Sequence, residues 1–70
     1  MNQALFLDTL EEMGFDYLPA ELQDKVENLA DEEGETIDSL WIEIVRGNYN
    51  LPRYLEKELT GAAKEFLRSN

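Results

Sequence analysis

Thr36-Ile37-Asp38-Ser39-Leu40-Trp41-Ile42-Glu43-Ile44-Val45-Arg46-Gly47 is the stretch on which the fold class turns. Its second half, Trp41 to Val45, is rich in residues that favour strands. The spacing points the other way, because Ile37, Leu40, Trp41, Ile44 and Val45 recur at intervals of three and four. Thr36 is a good N-terminal cap and Gly47 a natural stop. The stretch therefore predicts a helix over 37–46, with Trp41 midway along it as a core anchor or, in the alternative, an exposed aromatic hot spot.

Outward from that segment, the same punctuation delimits three more helices. Asn48-Tyr49-Asn50 is a turn, and Leu51-Pro52 opens a helix over 51–67 whose stripe of Leu51, Leu55, Leu59, Ala62 and Phe66 is the clearest in the chain. Tyr54, Ala63 and Leu67 reinforce it. Gly61 interrupts this helix at about 1 kcal/mol relative to alanine, through local tolerance, a close helix contact or a bend. Upstream, Gly34 ends a helix over 19–33 carrying Leu22, Val26, Leu29 and Ala30, with Leu18 extending the stripe, Pro19 in the first turn and Asp16 as a cap. The first helix covers 2–13, with Phe6, Leu10 and Met13 on one stripe, Leu5 beside them and Gly14 as the stop. Tyr17, Tyr49 and Tyr54 fall in turns or at a helix start, where their rings cover the core edge or meet a partner. No repeat, linker or low-complexity tract divides the 70 residues, so the expectation is one acidic domain over 1–70, an all-α bundle of about four short helices.

Charge is unevenly placed. The formal net charge is −10. Residues 1–43 hold thirteen carboxylates against Lys25 alone, a balance of −12, whereas residues 44–70 hold five basic side chains against three glutamates, a balance of +2. Such a front repels phosphate, which argues against direct contact with nucleic acid or an anionic membrane. A basic protein surface is its natural complement. The chain has no cysteine and no histidine. Disulfides, thiolate nucleophiles, cysteine-held metals and the usual near-neutral acid/base group are thereby excluded. No apolar run approaches the length of a membrane span, and Met1-Asn2-Gln3 lacks the positive charge of a secretory leader, so a cytoplasmic protein is expected.

The densest acidic patch is Asp31-Glu32-Glu33 with Glu35 and Asp38, and Glu27 lies one turn earlier. Carboxylates at the end of a helix oppose its dipole, and nothing basic lies within four residues of Asp31 to compensate. Glu27, Asp31, Glu32, Glu33, Glu35, Asp38 and Glu43 are therefore the candidate partner-binding residues. A calcium loop does not fit them. With Gly34 at the sixth position, Leu29 and Leu40 would stand where carboxylates are required, so no metal site is expected. Paired carboxylates such as Glu11 with Glu12, or Glu32 with Glu33, need a pocket that separates their pKa values, which a chain this short can hardly enclose. The expectation is a protein that is not an enzyme and carries no cofactor.

One string points elsewhere. Asp38-Ser39-Leu40, preceded by Ile37 and opening a helix in an acidic chain, resembles the attachment site of acyl and peptidyl carrier proteins. Leu51-Pro52 and Leu59-Thr60-Gly61-Ala62-Ala63 loosely echo the back half of that family. The resemblance implies a phosphopantetheine arm on Ser39, Asp38 and Leu40 as flanking recognition residues, and Glu43 as part of a docking face. From the residues themselves, Ser39 is a polar first-turn residue beside its cap. The favoured expectation is thus an acidic interaction module or small inhibitor of immunity, anti-defence or DNA-mimic type, binding a basic surface of a protein that can itself bind nucleic acid. A carrier and a homo-oligomeric helical structural protein are the alternatives.

Overall fold

In the computed structural model, which describes residues 2–69, helix α1 spans Gln3–Met13, α2 Ala20–Glu33, α3 Ile37–Val45 and α4 Arg53–Ser69. A single 3-10 turn, Phe15–Tyr17, sits between α1 and α2. No strand forms among the described residues, so periodicity outweighs the strand propensity of Trp41 to Val45. The first three helices begin for local reasons. Asn2 caps α1 by accepting the Leu5 N–H at 2.8 Å, and Thr36 caps α3 by accepting the Ser39 N–H on Oγ1 at 3.1 Å. Asp16 does not cap α2, because it is spent in the 3-10 turn. The Pro19 carbonyl instead receives the first helical N–H groups, from Leu22 and Gln23, while the Gln23 amide donates back to the Leu18 carbonyl at 2.8 Å.

Two helix ends share one geometry. After α2, Gly34 takes φ +71°, the Glu35 N–H donates to the Ala30 carbonyl and the Gly34 N–H to that of Asp31. After α3, Gly47 takes φ +75°, the Asn48 N–H donates to the Glu43 carbonyl and the Gly47 N–H to that of Ile44. Both are Schellman closures, which need a left-handed residue and reverse the chain within two positions. At Gly47 a second constraint acts, since a Cβ there would stand 3.0 Å from Leu7 Cδ1. The close pass of α1 over the end of α3 requires glycine.

The core forms where the four stripes meet. Leu10, Val26, Leu40, Ile44, Leu55, Leu59 and Ala63 are fully buried, and α1 packs on both α3 and α4. Leu18 joins them, as its place on the α2 stripe predicts. Several edge residues differ from expectation. On α3 the fully buried pair is Leu40 and Ile44; Trp41, 100° round the helix, is only partly buried and sets its ring edge-on against Phe15 at 5.8 Å. Trp41 therefore seals the edge of the core and does not anchor its centre. On α1, Leu5 is exposed and Thr9 is buried in its place, its hydroxyl satisfied by donating to the Leu5 carbonyl at 2.6 Å. Tyr54 and Leu67 flank the α4 stripe and stay exposed. Tyr17 meets Phe66 edge-on at 5.1 Å, but also remains largely exposed. A Cβ at Gly61 would meet nothing within 4 Å, so local tolerance, and no close contact, explains that glycine. Outside the core, Lys25 of α2 donates to both carboxylate oxygens of Glu58 on α4, at 2.8 and 2.6 Å.

Candidate functional site

The seven candidate carboxylates separate into four groups once the helices are in place. Glu27 and Asp31 lie one turn apart on one exposed flank of α2. Glu32 is 100° further round, seven residues from Lys25 and hence on that lysine's side of the helix. Asp38 is exposed in the first turn of α3. The remaining three, Glu33, Glu35 and Glu43, are brought together around the junction of α2 and α3. The acidic residues therefore wrap the corner of the molecule and converge only at its centre.

Local structure explains that convergence. The Schellman closure at Gly34 turns the chain so that Glu35 immediately precedes the Thr36 cap, and its Oε1 accepts the Ser39 hydroxyl at 3.1 Å. Glu35, Ser39 and Glu43 follow one another at intervals of four. Because helical side chains lean toward the N-terminus, Glu43 points back along this row toward Ser39 and Glu35. The neighbouring Glu35 carboxylate, burial and the further charge of Glu33 hold the Glu43 carboxyl above the ordinary glutamate range. Its Oε2 is shielded from solvent and receives no hydrogen bond among the described residues.

Tyr49 closes the other side. Its hydroxyl donates to Glu33 Oε1 at 2.9 Å, and its ring packs against the core. Burial first, then the bond to Glu33 and the charges of Glu33, Glu35 and Glu32, push the phenol up to about 12. Sequence reading placed Tyr49 at the core edge but carried no signal for this bond, which joins residues 16 apart. It depends on where the two glycine turns direct the chain. The row of Glu35, Ser39 and Glu43, by contrast, is readable from spacing once the start of α3 is fixed.

None of the seven carboxylates pairs with a basic side chain among the described residues. There the ion pairs are Lys25–Glu58 and Arg68–Glu65, both outside the set. Nor do the seven line the open cavity of about 390 Å³ between the start of α1, the end of α3 and α4, which is lined by Phe6, Leu7, Ile44, Leu51, Glu56 and other residues. Among the described residues no group of three or more carboxylates is arranged to hold a metal ion. Ser39 is exposed on the first turn of α3, with its hydroxyl engaged by Glu35. No helix among the described residues is long and apolar enough to cross a membrane. No protein-family model, curated protein or solved structure is significantly similar to the chain.

Proposed function

We propose that this chain is a non-enzymatic acidic interaction module that acts inside the cell. It binds a basic protein surface, of the kind that otherwise holds nucleic acid, as an inhibitor, immunity or anti-defence factor does. The observation that carries this reading is the absence of any cationic partner for Glu27, Asp31, Glu32, Glu33, Glu35, Asp38 and Glu43 among the described residues. Three of them, Asp31, Glu32 and Glu33, end α2 with no basic residue in the last turn, against the helix dipole. That local cost is offset when a cationic surface is docked there. Carboxylates at the spacing of helical turns present negative potential that a phosphate-binding surface accepts.

The test is capture on the immobilised chain at low salt, followed by elution with duplex DNA. A protein of basic surface should be retained and released by the duplex. The triple substitution Glu32→Gln, Glu33→Gln, Glu35→Gln should weaken retention by about tenfold, from three exposed charge pairs at about 0.5 kcal/mol each. Glu33→Gln keeps an acceptor for the Tyr49 hydroxyl, so the fold is preserved in the comparison. Unchanged retention by the triple variant would overturn the reading.

Ser39, exposed at the start of α3, favours a second reading, a carrier of the acyl or peptidyl type. A promiscuous phosphopantetheinyl transferase should then add one arm to Ser39 and none to Ser39→Ala, as read by intact mass. No mass gain, under conditions that modify a control carrier, eliminates it.

A further inference from the structure

The row of Glu35, Ser39 and Glu43 poses an accounting problem. Glu43 Oε2 is shielded from solvent, yet no N–H or O–H among the described residues reaches it. A buried carboxylate oxygen without a donor is costly, and such atoms are nearly always satisfied. The Glu43 carboxyl neighbours another carboxylate, that of Glu35, on the far side of Ser39 in the same row. Its Oε1 already accepts from Ser39, which fixes the direction in which the Glu35 carboxylate faces. Two acceptors in contact repel each other unless a proton lies between them.

We propose that Glu35 and Glu43 share one proton, forming a carboxyl–carboxylate hydrogen bond that latches the α2–α3 connection onto the body of α3. The proton makes Glu43 the donor and leaves Glu35 accepting from both Ser39 and Glu43. It satisfies the orphaned oxygen and removes one of the negative charges crowded at this corner. From the end of α2 the group facing the pair is Glu33, and from the α3–α4 connection it is Tyr49, whose hydroxyl is occupied by Glu33. No basic side chain among the described residues is paired with either carboxylate. The latch shares Glu35 and Glu43 with the proposed docking residues, but it concerns the free protein, and its titration is read without a partner.

Its consequence is a stability that depends on pH. A carboxyl held above its ordinary value in the folded chain contributes fully below the unfolded value of 4.5. That contribution is lost as pH rises through the folded value, so the bundle is firmer in mild acid than at neutrality. The direct test is a carbon-13 titration of the glutamate side-chain carboxyls in the intact chain. Glu43 should titrate with its step above 4.5. Glu35→Gln, whose amide can donate to Glu43, should move the Glu43 midpoint down, and Glu43→Gln should raise the urea midpoint at neutral pH while flattening its dependence on pH. A wild-type Glu43 that titrates at or below the ordinary glutamate value overturns the proposal. So does a midpoint unmoved by Glu35→Gln.

Discussion

Gly34 and Gly61 are the same residue with opposite reasons for being there. At Gly34 the backbone is left-handed, φ +71°, and an alanine would carry its Cβ into the following carbonyl. Gly61 is in the interior of α4, exposed, with open space where a Cβ would go. The two substitutions should therefore have opposite signs. Gly34→Ala is expected to destabilise by about 1 kcal/mol and Gly61→Ala to stabilise by about 0.5–1 kcal/mol, read as shifts of the urea midpoint at constant slope. Stabilisation by Gly34→Ala would mean that α2 ends in some other conformation. Spacing separates the two cases, because the apolar stripe stops before Gly34 and continues past Gly61 to Ala62 and Phe66. The difference is whether the chain must turn there.

At the scale of the element, α3 is the segment that most needs its ends. Nine residues are too few to hold a helix in water by propensity. Leu40 and Ile44 bury completely, but Ile42 is exposed, so only part of this very apolar segment contributes to the core. The Thr36 cap and the Gly47 closure set its register, and with it the direction of the row from Glu35 to Glu43. Thr36→Ala should cost about 1 kcal/mol, while Thr36→Ser, which keeps the capping oxygen, should cost little. Equal losses in the two variants would show that the methyl of Thr36, and not its hydroxyl, matters there. This element was legible in the sequence despite its strand-forming residues, because cap, stop and three-and-four spacing agreed. Its burial was not. Leu40, Trp41 and Ile44 are all apolar, and only the approach of α1 and α2 decides that positions 40 and 44 face inward while 41 lies at the rim.

At the scale of the whole molecule, a net charge of −10 is carried by a body measuring 33 × 24 × 20 Å. In about 0.01 M salt the screening length is about 30 Å, so every carboxylate is repelled by charges across the entire bundle; in about 1 M salt it falls to about 3 Å. The described ion pairs are few and exposed, with Lys25 and Glu58 retaining 42% and 39% of their side-chain exposure. Repulsion therefore outweighs attraction, and the melting temperature should rise as sodium chloride is added over that range. A fall would mean that the ion pairs dominate. The sequence by itself determined four helices, the Thr36 cap and the glycine stops, the stripes that meet in the core, and the division of charge at residue 43, because each of these follows from spacing and chemistry within a few positions. Only the tertiary structure decided that Thr9 displaces Leu5 from the core, that Trp41 lies at its rim, that Glu33 meets Tyr49, and that Glu43 is pressed against Glu35 with an oxygen left unsatisfied. These depend on how the glycine turns aim one helix at another, and crossing geometry is a property of the packed bundle that no local spacing contains.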